Sequence, residues 1–315
     1  MFPSLSRQDV LAAAVRIAPH AQVTPVLRSR SLDALTGAEL HFKCEAFQRG
    51  GAFKFRGACN AVWALSETEA AQGVVTHSSG NHGAALALAA RTRGIAVHVV
   101  VPEGAVKSKL AAIEAYGATL HRCPATLAAR EAAAARVQAE TGAHLVHPYT
   151  DERVIAGQGT AALELLSEAG SLDALIAPIG GGGLIGGTAL AATGAMPRPR
   201  VFAAEPEGAA EAYDSLRQGR RITELTPDTI CDGLRGTIGE INFALLRAHA
   251  VEVLLVSDAD TVAAMRLLWQ RLKVLVEPSS ATVLAAVLKQ RERFAGQRIG
   301  LVLSGGNVDL DALPW

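Results

Sequence analysis

Residues 174–187 read Ala174-Leu175-Ile176-Ala177-Pro178-Ile179-Gly180-Gly181-Gly182-Gly183-Leu184-Ile185-Gly186-Gly187, and Thr188–Ala192 continue them without a charge. The first six residues form an apolar run of strand length. The four glycines are a turn, and the small residues after them open a helix through Thr188–Ala192. A run that is apolar throughout, not alternating, marks a strand covered on both faces, as in a parallel sheet flanked by helices. Strand, glycine turn and helix therefore form the unit to look for elsewhere in the chain.

The unit recurs in both directions. Short apolar runs predict strands at Glu39–Glu45, Gly73–His77, Ala96–Val101, Thr119–Cys123, Leu145–Pro148, Ala174–Ile179, Arg200–Ala204, Val251–Val256 and Arg298–Ser304. Helical spacing predicts helices at Arg7–Ile17, Lys54–Leu65, Asn81–Arg93, Lys107–Tyr116, Leu127–Glu140, Gln158–Glu168, Ala209–Gln218, Asp260–Val274 and Ser280–Arg293. Asp258 or Asp260 is the expected cap of the helix that carries Val262, Met265, Leu268 and Leu272 on one face. The alternation predicts an α/β protein, with length for more than one parallel sheet. No repeat, low-complexity tract or long linker is visible. The expected division is a small domain at 73–148, inserted into a large discontinuous domain formed by 1–72 and 149–315.

Composition narrows the class. Half of the 315 residues are hydrophobic and the formal net charge is zero, which fits a folding chain and argues against a nucleic-acid binder. Cys44, Cys59, Cys123 and Cys231 show no C-x-x-C spacing and read as reduced thiols of a cytoplasmic protein. Met1–Ile17 lacks the pattern of a signal peptide. Ala174–Met196 is uncharged over a membrane-length span, but seven glycines break it, so no membrane segment is expected.

Three glycine-bearing turns stand where parallel strands end and ligands bind. At Gly180–Gly183, backbone N–H groups without Cβ neighbours can close around a phosphate at a helix N-terminus. Gly181–Gly186 also matches G-x-G-x-x-G, and Glu205 follows 19 residues later, the fingerprint of a nicotinamide or flavin enzyme. That fingerprint normally opens its domain, whereas several α/β units precede it here. The second turn, Ser78-Ser79-Gly80-Asn81-His82-Gly83, offers hydroxyls, an amide and helix N–H groups to a carboxylate. The third, Ser304-Gly305-Gly306-Asn307, closes the last predicted strand. Only six of the 30 basic residues are lysines. One of them, Lys54, begins a helix in Gly50-Gly51-Ala52-Phe53-Lys54-Phe55-Arg56-Gly57-Ala58, where apolar neighbours and a helix N-terminus can depress its pKa.

Taken in order, G-A-F-K-x-R-G-A, S-S-G-N-H-G, G-G-G-G-L and S-G-G-N resemble the fold-type-II pyridoxal-phosphate enzymes, a two-domain, tryptophan synthase β-like fold. The resemblance runs from about Pro25 to Asp309 and is greatest to serine racemase and the serine/threonine and 3-hydroxyaspartate dehydratases. Val154–Thr160 and Val276–Ala281 look similar to the family as well.

The resemblance implies that Lys54 carries pyridoxal 5'-phosphate as a Schiff base and acts as base at Cα once substrate displaces it. It places Phe53 beside the cofactor ring, Asn81 on its phenolic oxygen and Ser304 on its nitrogen. The N–H groups of Gly180, Gly181, Gly182, Gly183 and Leu184 would hold the phosphate. Ser78, Ser79, Asn81 and His82 would bind the substrate carboxylate. A neutral Ser304 leaves the ring a weak electron sink, which favours prompt loss of a β-substituent. The implied reaction turns a small β-hydroxy amino acid, such as L-serine, L-threonine or 3-hydroxyaspartate, into a keto acid and ammonia.

Serine racemisation is the alternative, because Ser79 stands where racemases carry their opposite-face acid/base; a plain carboxylate-loop hydroxyl is the other reading of that residue. Arg130 matches an arginine near the racemase substrate entrance, where it would pair with a second carboxylate, or it is a solvated helix residue. Glu205, Ala209 and Glu211 resemble the family's divalent-cation site for Mg2+ or Ca2+, although the family commonly has Asp at 211. Gly236 stands where racemases tend to carry a substrate-contacting serine. A homodimer is the family expectation, and a NAD-dependent oxidoreductase remains the distant alternative.

Overall fold

The computed structural model describes residues 5–105 and 107–315; residues 1–4 of the N-terminal segment lie outside them. Among the described residues the strands are β1 (Val26–Leu27), β2 (Glu39–Cys44), β3 (Val74–Thr76), β4 (Val97–Pro102), β5 (Thr119–Cys123), β6 (His144–Leu145), β7 (Ala174–Pro178), β8 (Arg200–Pro206), β9 (Glu252–Val256) and β10 (Arg298–Leu303). They form a six-stranded sheet, β1-β2-β10-β7-β8-β9, and a four-stranded sheet, β5-β4-β3-β6. Every pairing is parallel except β1 with β2 at the edge. β1 went unread because two residues carry no periodicity.

The helices are α1 (Arg7–Ile17), α2 (Arg30–Thr36), α3 (Lys54–Trp63), α4 (Glu67–Ala71), α5 (Asn81–Arg93), α6 (Lys107–Ala115), α7 (Leu127–Thr141), α8 (Glu152–Ala169), α9 (Gly183–Ala192), α10 (Glu211–Gln218), α11 (Glu240–Ala248), α12 (Asp258–Leu267), α13 (Pro278–Lys289) and α14 (Arg291–Phe294). α2, α4 and α11 were not expected from the sequence; none exceeds nine residues. α8 starts at Glu152 and not at Gln158, because the Asp151 carboxylate caps it by accepting from Arg153 N at 2.8 Å. α12 is capped neither by Asp258 nor by Asp260. Ser257 is the cap, and Asp260 is its reciprocal partner at the third helical position.

Period-two alternation sorts the large sheet onto its two faces. Ile176 and Leu301 join the core under α12 and α13, whereas Leu175 and Val302 join the core under α8 and α9. In the small sheet, Val74, Val97, Val99 and Val101 meet α5, and Val75 and Val100 meet α7. Phe55, Ala58, Cys59 and Val62 of α3 enter that same core, so it draws on residues outside 73–148. Ala174–Met196 resolves largely into β7 and α9, and among the described residues no helix is long and apolar enough to cross a membrane.

α3, α8 and α9 stack unusually close. A Cβ on Gly157 of α8 would meet Arg56 O of α3 at 2.7 Å, and one on Gly159 would meet Gly187 O of α9 at 2.6 Å. Two residues along a helix turn about 200°, so these glycines serve nearly opposite sides of α8. The stretch Val154–Thr160 is therefore a spacer between the helix that begins with Lys54 and the helix that begins with the glycine run.

Candidate active site

β2, β10 and β7 are neighbours, and their carboxyl ends lead to Lys54, Ser304 and Gly180–Gly183 respectively. The turn before Lys54 is strapped to the turn after β10. Phe53 N donates to Ser304 O at 2.9 Å, Gly306 N to Gly51 O at 2.9 Å, and Asn307 Nδ2 to Gly50 O at 2.8 Å. Ser304 is buried. Lys54 Nζ donates to Pro148 O at 3.0 Å and stands 5.1 Å from the centroid of the Phe53 ring. Burial pushes its pKa down to about 8, against an opposing pull from the Glu277 carboxylate.

The small sheet contributes the start of α5. Asn81 Nδ2 lies 3.1 and 3.2 Å from the Glu277 carboxylate oxygens, and Asn81 Oδ1 accepts from Asn307 Nδ2 at 3.0 Å. A carboxylate on one side and an amide donor on the other fix which way the Asn81 amide faces. The N–H groups of Asn81, His82 and Gly83 belong to the first turn of α5 and have no intrahelical acceptor. Ser78 and Ser79 are half-buried beside them.

His82 is buried, with Nε2 3.3 Å from Val146 O and Nδ1 without a partner among the described residues. Burial first, then the charge of Lys54, lowers its pKa well below the ordinary value, so the ring is neutral. Arg130, on α7, has a buried Nε that likewise lacks a partner among the described residues. Its charge is felt at His77 and Tyr149.

The glycine run is shaped from behind. A Cβ on Gly181 would run into the Tyr149 ring, and Gly182, at φ +91°, would meet Asn242 at 2.7 Å. Asn242 Nδ2 donates to both Tyr149 O and Gly181 O at 2.7 Å. The N–H groups of Gly183, Leu184 and Ile185 lie in the first turn of α9, without intrahelical acceptors and at the positive end of its dipole. A phosphate dianion fits this loop, and a desolvated amine at Lys54 fits the aldehyde of pyridoxal phosphate. Phe53 and Ser304 are joined by the backbone bond above, and Asn81 is tied to the turn before Lys54 through Asn307.

Glu205 and Glu211 lie behind the loop. The Glu205 oxygens accept from Ala212 N and Tyr213 N at 2.8 Å, and the Glu211 oxygens from Ser215 Oγ at 3.0 Å and Ile238 N at 2.8 Å. Gly239 N in turn donates to Gly181 O at 3.1 Å. Burial pushes Glu205 up to about 8, opposed by its two N–H donors and aided by repulsion from Glu211 and Asp214. Burial raises Glu211 too. Among the described residues no three His, Cys, Asp or Glu side chains are grouped for a metal. Glu205 is committed to the start of α10, which removes the ribose-binding acid on which the dinucleotide reading depended.

Comparison with known proteins agrees with this geometry. The family "Pyridoxal-phosphate dependent enzyme" matches residues 17–305. The chain is 50% identical over 308 residues to the β-hydroxyaspartate dehydratase of Paracoccus denitrificans, covering 98% of each chain. It is 46% identical over 314 residues to the serine racemase of Dictyostelium discoideum, covering 98% of this chain and 97% of the other. The solved structure of maize serine racemase superposes with a TM-score of 0.95 at 44% identity, covering 98% of this chain and 95% of that one. The chain belongs to the pyridoxal-phosphate dependent enzymes and has their second fold type.

Sequence reasoning gave no role to Glu277, Asn307, His147, Tyr149 or Asn242. Glu277 and Asn307 lay inside quoted motifs. The other three act across long sequence separations and carry no local signal.

Proposed function

We propose that this enzyme eliminates water from small β-hydroxy amino acids, 3-hydroxyaspartate foremost, to give a keto acid and ammonia. The observation that carries the reading is Arg130: a guanidinium whose buried Nε has no partner among the described residues, and whose charge is felt at His77 and Tyr149, suits a second substrate carboxylate. The 50% identity to a β-hydroxyaspartate dehydratase supports it.

In this reading the N–H groups of Asn81, His82 and Gly83, which have no intrahelical acceptor, bind the α-carboxylate together with Ser78 and Ser79. Bound pyridoxal phosphate supplies the electron sink that acidifies Cα–H. Lys54, with its depressed pKa, takes the Cα proton, and as the Cβ–O bond breaks that proton passes to the β-hydroxyl, which departs as water. Hydrolysis of the unsaturated amine then gives keto acid and ammonia. Phe53 and Ser304 flank the cofactor ring, Asn81 meets its phenolic oxygen, and Gly180, Gly181, Gly182, Gly183 and Leu184 hold the phosphate. Mg2+ or Ca2+ at Glu205, Ala209 and Glu211 would relieve the carboxyl repulsion behind that loop. Residues 73–148 are read as the small domain, supported by the four-stranded sheet they contain. A cytoplasmic homodimer is proposed; the location is supported by four free, buried cysteines.

The second reading, serine racemisation, is supported by Ser79 and by the racemases among the relatives. Assaying keto acid, ammonia and D-serine from one preparation separates the two. Keto acid from 3-hydroxyaspartate is expected to dominate. D-serine formed from L-serine faster than any keto acid would overturn the dehydratase reading. Arg130→Met is expected to lower kcat/KM for 3-hydroxyaspartate by about 10- to 100-fold while barely changing it for L-serine, the loss of a charged hydrogen bond. Ser79→Ala is expected to abolish any D-serine formation and to leave elimination measurable.

A further inference from the structure

The segment between β6 and α8 joins parts of the site that no motif connects. Pro148 O accepts from Lys54 Nζ at 3.0 Å. The ring of Tyr149 fills the space beside Gly181 that a side chain there would need. Tyr149 O and Gly181 O share one donor, Asn242 Nδ2. One turn thus holds the resting position of the amine and backs the glycine run.

The turn is closed by His147. Its Nδ1 accepts from Tyr149 N at 3.3 Å and from Thr150 N at 3.1 Å. The ring stands edge-on to Tyr149 at 4.6 Å and to His77 at 5.0 Å. An imidazole nitrogen can accept two N–H groups only when unprotonated, which places the ring proton on Nε2. Burial, then His77 and Lys54, pushes the His147 pKa down to about 4, against the pull of Asp151, so the acceptor persists at neutral pH.

We propose that His147 is a positioning residue for catalysis. By closing the 147–150 turn, it aims the Pro148 carbonyl at the free Lys54 amine and presses Tyr149 against the glycine run, so that amine and phosphate loop are held in register. This rests on Lys54 being the cofactor-bearing lysine.

The test uses the full chain, stripped of cofactor and reloaded with pyridoxal 5'-phosphate, in wild type, His147→Leu and His147→Asn. Two readouts besides turnover are taken: the rate at which borohydride-trapped pyridoxyl mass appears on the Lys54 peptide, and the affinity for inorganic phosphate. Melting temperatures are recorded alongside. His147→Leu is expected to slow trapping about tenfold or more and to weaken phosphate binding. His147→Asn, whose Oδ1 can accept the same N–H groups, is expected to recover both. Should His147→Leu not fold, His147→Ala replaces it in the comparison.

Trapping in His147→Leu within twofold of wild type, or an Asn variant no better than Leu at equal melting temperature, overturns the inference alone. A wild type that takes no pyridoxyl mass at Lys54 overturns the enzyme reading, and this inference with it.

Discussion

Lys54→Ala is expected to lower turnover of β-hydroxy amino acids by about 10³-fold or more, while the melting temperature of the cofactor-free protein shifts by only a few degrees. The asymmetry follows from the environment of the residue. Its ammonium is desolvated and donates to one carbonyl, Pro148 O, so truncation removes little native stabilisation. The same desolvation creates the reactivity. A pKa of about 8 in place of 10.5 leaves about a quarter of the amine neutral at about pH 7.5, against about a thousandth for an ordinary lysine. The rate of aldehyde capture by the cofactor-free wild type should therefore rise with pH through about 8 and level off above it. A capture rate still climbing past about pH 10 would show that Lys54 is an ordinary surface-like lysine, and equal capture by Lys54→Ala would move the chemistry to another residue.

The second large effect concerns stability. Arg56, two residues after Lys54, is fully buried. Its guanidinium meets Glu45 at 2.7 and 2.8 Å and Glu164 at 2.6 and 2.8 Å. Lys43 Nζ joins Glu164 at 2.5 Å and Thr24 O at 2.6 Å. Burial works against the Glu164 carboxylate, but hydrogen bonds and charge from Arg56, then Lys43, outweigh it and hold its pKa below the usual value. Two cations and two anions balance, and they tie α3 to β2 and α8.

Arg56→Met removes one cation and leaves a buried carboxylate uncompensated, a loss of about 3–5 kcal/mol. That carboxylate can escape the penalty only by taking a proton. Denaturant unfolding should therefore show the deficit shrinking as pH falls from 8 toward 5. A deficit below about 1 kcal/mol, or one indifferent to pH, would mean that the network behaves like a surface ion pair.

Much of this architecture is legible in the sequence because buried parallel strands must be apolar throughout. Val97–Val101 and Ala174–Ile179 declare themselves for that reason, and the glycine turns mark where the strands end. The proposed site is legible only where its chemistry sits in contiguous residues. Lys54, Asn81, Gly180–Gly183 and Ser304 fall in such runs. His147, Tyr149 and Asn242 do not, since each matters through a partner set by folding: a turn, a vacant Cβ position, a shared donor. The cap of α12 was misassigned for a related reason. Ser257, Asp258 and Asp260 all suit a helix start, and only the observed reciprocal bond selects Ser257.

The spacing of α3, α8 and α9 has a consequence for how such an enzyme can change. Gly57 and Gly157 seat α3, which begins with Lys54, on α8, and Gly159 and Gly187 seat α9, which begins with the glycine run, on its other side. The gauge between the Lys54 end of α3 and the glycine end of α9 is thus set by backbone thickness, which no ordinary side-chain substitution elsewhere alters. In the proposed reading Arg130, on α7, meets the β-substituent from outside that gauge. Substrate preference can therefore drift from one hydroxy amino acid to another along a lineage while the cofactor seat stays the same width.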